Sequence, residues 1–259
     1  MAAQFSHVAK DYDAHFTHTE IGKLQREQVL KELAPILKRE WQVLEINCGT
    51  GEDALWLSDS TSSVLATDIS AEMIAVSREK SAGKDNIDFE VLDANKIASL
   101  HPKSFDFIFS NFGGLNCLSP QQLQQFLLES AKLLKPKGAI VLVIMGKKTL
   151  WEKLYFTLKG DRKSAKRRDT KEALFVHVGG KNVPTYYYSP SDVSRLAATR
   201  FRVVQVKPIG LFVPPSYMQH FFNSRLWALR TLGLLDRLRL PGFSNYADHF
   251  LIHLEKKSA

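Results

Sequence analysis

The sequence has only two cysteines, Cys48 and Cys117, in 259 residues. That is too few for a metal cage or a disulfide framework, so no metal and a reducing, cytoplasmic setting are expected. No apolar run reaches the roughly 18 residues that a membrane-spanning helix needs. Met1–Lys10 carries Gln4, Ser6 and His7 without an apolar core stretch, which argues against a secretory signal there. Internal repeats and long low-complexity segments are missing too, so solenoid architectures are set aside. With 44% hydrophobic and 24% charged residues, a chain too polar to fold is excluded. The length suits one large domain with elaborations.

Acidic residues are in short supply relative to basic ones. Thirty-five Lys and Arg against 27 Asp and Glu give a net charge of +8. Much of the excess is local, in Lys159, Arg162, Lys163, Lys166, Arg167, Arg168 and Lys171. Such a run reads first as a solvated, mobile loop; nucleic acid, an anionic membrane surface or an acidic substrate are the functional readings.

Apolar runs at Trp41–Ile46, Ser63–Thr67, Ile87–Leu92, Phe105–Phe109 and Ala139–Met145 alternate with helix-like stretches at Glu52–Leu57, Ala71–Ser81 and Pro120–Leu134. Continuous apolar strands separated by amphipathic helices predict a parallel sheet covered on both faces. Ser119-Pro120-Gln121-Gln122 and Ser189-Pro190-Ser191-Asp192 supply N-caps, Thr17-His18-Thr19-Glu20 reads as a capping box opening a helix to about Leu33, and Lys135-Pro136-Lys137-Gly138 should end a helix. Beyond Met145 the spacing predicts a helix at Leu150–Leu158 and a hairpin of Ala173–Val178 and Pro184–Tyr188 about Gly179-Gly180-Lys181-Asn182. A helix at Asp192–Ala198, a strand at Arg202–Lys207, a helical Tyr217–Leu240 broken near Gly233, and a last strand at His249–Leu254 follow.

The most informative string is Val43-Leu44-Glu45-Ile46-Asn47-Cys48-Gly49-Thr50-Gly51-Glu52-Asp53-Ala54. A strand runs into a glycine turn and then a helix, and Gly49 and Gly51 let backbone approach a ligand. Open α/β sheets bind ligands at this edge, outside the carboxyl ends of the strands. The second strand ends at Asp68, whose carboxylate can accept from the vicinal hydroxyls of a ribose. The third ends at Asp93, suited to an adenine amino group, and the fourth leaves at Ser110-Asn111-Phe112-Gly113-Gly114.

With these motifs the chain resembles the class I S-adenosylmethionine-dependent methyltransferases, in the small-molecule branch similar to the ubiquinone/menaquinone and biotin-pathway enzymes. The resemblance covers roughly Phe5 to Met145. It implies an α/β fold, a Rossmann-like doubly wound seven-stranded sheet with a terminal antiparallel hairpin and lid insertions. It implies S-adenosylmethionine as cofactor, with Glu45, Asn47, Gly49 and Gly51 on the methionine part, Asp68 on the ribose, Asp93 and Ala94 on the adenine, Asn111 and Phe112 beneath the sulfonium side, Ile69 also cofactor-binding, and Tyr12 closing over it. The family's first glycine is Asn47 here; asparagine tolerates left-handed backbone, so the turn can survive. Arg26 could pair with the cofactor carboxylate, with Glu27, or with solvent.

The expected layout is a single domain over 1–259. An N-terminal helical cap spans 1–40, a cofactor-binding core 41–146, and lid or acceptor insertions 147–190 and 211–245. The expected reaction is methyl transfer to a small apolar or aromatic acceptor, without specific nucleic acid or a transmembrane segment, and with a homodimer left open. No catalytic residue is assigned: His15, His18, His177, His220 and Tyr186–Tyr188 are candidates for a base that only some acceptors need. Tyr217–Leu240, with apolar residues nearly all round and Arg225, Arg230, Arg237 and Arg239 on no common side, is expected to roof the acceptor pocket rather than lie on a membrane. A nicotinamide-dependent oxidoreductase, an RNA methyltransferase and a non-catalytic cofactor-binding protein are the alternatives.

Overall fold

Strand β1 (Gln42–Ile46) lies at the centre of the molecule, and its position follows from its composition: four consecutive residues after Gln42 are buried, as a strand covered on both faces requires. In the computed structural model, which describes residues 12–178, 181–238 and 242–258, β1 pairs in parallel with β2 (Ser63–Asp68) on one side and β4 (Phe105–Ser110) on the other. β3 (Ile87–Val91) and β5 (Leu134–Met145) extend the parallel array. β8 (Phe201–Ile209) and β9 (His249–Lys256) complete a seven-stranded sheet of order β3-β2-β1-β4-β5-β9-β8, with β9 antiparallel to both neighbours. The expected doubly wound architecture with its antiparallel terminal pair is therefore present. Expectations placed on Met1–Lys10, the Gly179-Gly180 turn and Arg239-Leu240 lie outside the described residues.

Alternate side chains of each strand feed two cores. On one face Leu44, Ile46 and Ile108 pack with Leu123, Phe126 and Leu127 of α4 (Pro120–Leu133) and Val193 of α6 (Pro190–Ala197). On the other, Val43, Phe107 and Phe109 pack with Val29 and Leu33 of α1 (Glu20–Leu33), Leu57 of α2 (Glu52–Ser58) and Ile74 of α3 (Ala71–Lys80). The serine caps of α4 and α6 form full capping boxes with Gln122 and Asp192.

Several local expectations are corrected. Helix α1 is capped by Thr19, whose side chain accepts from Gly22 N–H, because Thr17 ends a preceding π-turn at Asp13–Thr17. Lys135–Gly138 does not follow the helix as a loop; it lies within β5 at a register irregularity, with Lys137 in left-handed backbone. The small hairpin is β6 (Leu174–Val178) with β7 (Lys181–Thr185), ending before the tyrosines. Tyr186–Tyr188 instead runs along the edge of the core, held by Asn116, which donates to Tyr186 O (2.6 Å) and accepts from Met145 N–H (2.9 Å). The break in the last helical region falls at 222–225, between a 3₁₀ turn (Ser216–Phe221) and α7 (Leu226–Asp236). Gly233 sits inside α7, where a Cβ would come 3.0 Å from Leu24 of α1. Gly233 thus serves helix–helix packing, not a break.

The basic run is only partly solvated. Arg168 is 5% exposed, donating to Glu152 on α5 (Leu150–Leu158) at 2.7 Å and to Asp248 at 3.0 Å, with Tyr187 beneath its guanidinium. Arg167 also holds Glu152. A buried carboxylate pair needs a fork-shaped cation, and the arginines supply it.

Candidate active site

Strand register brings the predicted residues to one edge. Ile46 is opposite both Thr67 and Ser110, so Asn47, Asp68 and Asn111 emerge together at the carboxyl ends of β1, β2 and β4. Asp68 opposes Val91, which sets Asp93 beside them, and Met145 of β5 opposes His249 of β9. This is the point where strand order reverses about β1, the usual ligand crevice of such sheets.

The glycine turn is shaped by left-handed backbone at Asn47 (φ 60°), Gly49 (φ 56°) and Gly51 (φ 80°). At Asn47 the conformation is one that asparagine bears better than most residues. Gly51 is tight, since a Cβ would meet Ser77 of α3 at 3.0 Å, whereas Gly49 faces open space. Asp68 is engaged by the backbone: Gly49 N–H donates to Oδ2 (3.0 Å) and Ser70 N–H to Oδ1 (2.9 Å). Burial pushes its carboxyl up, against these hydrogen bonds.

Glu45 is the most unusual group. It is buried, and its Oε2 has no hydrogen-bond partner among the described residues. Burial pushes its carboxyl well above the usual range, with Asp53 and Asp68 adding to the shift and Arg26 opposing it. Asn47 Nδ2 and Arg26 Nε are likewise buried and unmatched. Buried polar groups left so are rare and call for a ligand or another explanation.

Asp53 is the residue that sequence reasoning passed over. It accepts from Arg26 Nη1 (3.1 Å) and from Asn111 Nδ2 (2.9 Å), while Asn111 Oδ1 accepts from Phe112 N–H (3.0 Å). Arg26 therefore pairs with Asp53 and not with Glu27; half-buried, it lies over the Phe112 ring at 5.6 Å. The spacing offered one signal, an acid in the first turn of the helix behind the glycine loop, where anionic side chains are favoured.

The N-terminal segment is tied to the turn. Thr50 donates to Asp13 Oδ1 (2.6 Å), and Lys80 pairs with both Asp13 and Glu52. Tyr12 stacks on Phe16 at 5.0 Å, and burial raises its hydroxyl. Asp13, His18 and Glu52 could in principle hold a metal, but Lys80 already supplies the cation between the two carboxylates. Asp93 caps a 3₁₀ turn through Asn95 N–H (2.9 Å); Ala94 is buried and Ile69 half-buried beside the crevice.

Among the candidate bases, His18, His177 and His220 have exposed side chains scattered over the surface, and the side chain of His15 lies outside the described residues. A histidine at the site edge was missed: His249 is buried, edge-on to Phe112 (5.4 Å), with Nδ1 3.2 Å from Asp248 Oδ2. Burial alone would raise the Asp248 carboxyl, yet His249 and Arg168 hold it well below the usual range. Its only sequence signal was the start of the last strand.

Comparison with known proteins agrees with the geometry. Residues 43–138 match a family described as a methyltransferase domain. A demethylmenaquinone methyltransferase of Clavibacter sepedonicus is 31% identical over 144 residues, 55% of this chain and 56% of that protein. One from Staphylococcus aureus is 30% identical over 151 residues, 56% and 60%. The chain thus spans little more than half the length of the curated relatives it matches. Among solved structures, DhpI in complex with SAH superposes with a TM-score of 0.65 at 18% identity, covering 100% of this chain and 96% of that one. A SAM-dependent methyltransferase from Methanosarcina mazei gives 0.61 at 19%, covering 88% and 98%. The chain shares the fold of these solved structures, and its residues 43–138 match the methyltransferase-domain family.

Proposed function

We propose that this methyltransferase-domain chain transfers a methyl group from S-adenosylmethionine to a small aromatic acceptor of the quinol type. The observation that carries the reading is the set of unmatched buried polar atoms, Glu45 Oε2 and Asn47 Nδ2, beside a glycine turn open at Gly49. These fit a ligand with a cationic amino group and a polar backbone. The cofactor, when bound, supplies an electrophilic methyl on a sulfonium. Glu45 Oε2 accepts from its amino group, Asn47 Nδ2 donates to its carboxylate, Gly49 allows close backbone approach, and Asp68 accepts from ribose hydroxyls with the lone pairs its backbone donors leave. Asp93 and Ala94, next to Ile69, border the adenine side. Tyr12 and Phe112 exclude water, and Arg26 lends positive charge near the carboxylate end.

The names of the relatives support a quinol-like acceptor. A carbon or phenolic oxygen becomes a better nucleophile when a hydroxyl proton is removed. In this reading His249 takes it: Nδ1 lies 3.2 Å from Asp248 Oδ2, and Nε2 serves the acceptor. The two free thiols, Cys48 and Cys117, suit a reducing cytoplasm.

The test is thermal denaturation with S-adenosylhomocysteine, S-adenosylmethionine and NADH. A ligand that binds only the native state raises the melting temperature; the first two should, NADH should not. Asp68→Ala should weaken binding by about 1.5–3 kcal/mol, the range for bonds to a charged acceptor. Stabilisation by NADH to the same extent overturns the reading in favour of an oxidoreductase.

A further inference from the structure

The chain's positive charge is not spread over its surface. Residues 147–178 and 211–238 hold 13 basic and five acidic side chains. The whole net charge of +8 is therefore lodged in these two segments, and the rest of the chain is neutral.

The same segments turn large apolar side chains outward. On α5, Leu150, Leu154 and Leu158 recur every fourth residue and all are exposed, Leu158 at 79%. On α7, Trp227 is 73% exposed and Leu234, seven residues on, is exposed with it, as is Leu238 just past the helix end. At 100° per residue Trp227 and Leu234 lie about 20° apart. Arg230 and Arg237, also seven apart and both exposed, form one flank of that crest. Arg225 and Arg237 hold the two cap positions of α7, and Arg237 falls on the side of Arg230. Trp227 faces away from the core.

The two crests belong to one body. Tyr155 of α5 packs against Phe221 (6.0 Å) and Trp151 against Phe222 (6.1 Å), the segment that leads directly into α7. Lys159, Arg162, Lys163 and Lys166, all exposed, follow α5 without a break.

We propose that the α5–α7 face docks the protein on an anionic lipid bilayer, with the leucines and Trp227 in the headgroup–acyl boundary and the surrounding cations on lipid phosphates. An apolar crest rimmed by Lys and Arg, with Trp at its edge, is the composition of helices that lie in a membrane interface. Exposed apolar patches also mark protein contacts. A symmetric pair through this face, however, would bring the cationic rims of two identical copies against each other, which is unfavourable.

The experiment is flotation of the full chain, without cofactor or acceptor, with vesicles of phosphatidylcholine alone or mixed with phosphatidylglycerol, beside sedimentation analysis of the free protein. The expected result is recovery with phosphatidylglycerol vesicles, little with phosphatidylcholine, and release by high salt. Lys159→Gln, Lys163→Gln and Lys166→Gln should each weaken binding about five-fold. Leu158→Glu with Trp227→Glu should abolish it, while circular dichroism and the S-adenosylhomocysteine-induced rise in melting temperature stay unchanged. The proposal is overturned by no recovery with either vesicle, by equal recovery with both, or by a dimer that Leu158→Glu and Trp227→Glu dissociate. The salt comparison needs no variant, and vesicle binding is read independently of methyl transfer.

Discussion

Arg168 shows how a single side chain can be misjudged from its neighbours in sequence. Within a run of six basic residues in ten it looks like one more solvated cation, yet it is the counter-charge of two buried carboxylates, Glu152 and Asp248. Arg168→Met should cost about 3–5 kcal/mol by urea denaturation, because two buried anions lose their partner. Arg168→Lys should recover only part, since an ammonium lacks the fork. The same cluster sets an acid limit. Asp248 and Glu152 titrate lower in the folded chain than their ordinary values of 3.8 and 4.5. Their contribution is in place above those values and is lost as pH falls through the folded ones. Melting temperature should therefore drop steeply below about pH 4, and the drop should be shallower in Asp248→Asn. Glu45 has the opposite sign: its folded value is raised, so its stabilising contribution disappears as pH climbs past the ordinary carboxylate range. Glu45→Gln should raise the neutral-pH melting temperature of the ligand-free protein while weakening S-adenosylhomocysteine binding, a trade between stability and function at one atom pair. Calorimetric titration beside a thermal scan reads both.

Elements were legible where chemistry is local, and less so where tertiary contacts decide. The serine–proline caps of α4 and α6 and the apolar strands β1 to β4 stand within a residue or two of expectation, because their caps and patterns sit in adjacent residues. Helix α4 ends where Lys135–Gly138 predicted, but β5 begins five residues earlier than expected and the α7 break was misplaced, since pairing with β4 and packing against Leu24 override the turn and breaker signals of proline and glycine. At the site, the strand-end acids could be read off the pattern, while Asp53 and His249 could not: Arg26 and Asn111 that hold Asp53, and Phe112 that meets His249, are all more than 25 positions away. The loop after β4 and the turn after β1 form one fitted unit. A Cβ on Gly114 would lie 2.5 Å from the Asn47 side chain. Gly114→Ala should lower stability and cofactor affinity together, and Asn47→Gly, which leaves left-handed backbone unstrained, should restore much of the lost stability but not the affinity. A double-mutant cycle with a clearly nonzero coupling confirms that the two loops touch; additive effects would refute it.

At the scale of the whole molecule, the seven-stranded core and the charged insertions behave as two materials. Brief trypsin treatment should cut first after Arg162, Lys163 and Lys166, which are exposed, and spare the bond after Arg168, whose side chain is clamped. In Arg168→Met that bond should become an early site, visible by mass spectrometry. One feature of the sheet bears on how such a protein can change. Ile209 ends β8 and His249 begins β9, and the two are register partners. The segment carrying α7 therefore leaves and re-enters the sheet at the same rung, as the tip of an enlarged hairpin. Lengthening a flexible loop between fixed ends adds only about 0.6 kcal/mol per doubling. Its length and composition can drift, or be exchanged by grafting, while the strands on either side keep their pairing. The part of the molecule that meets its surroundings is in this sense a replaceable module clipped to an invariant frame.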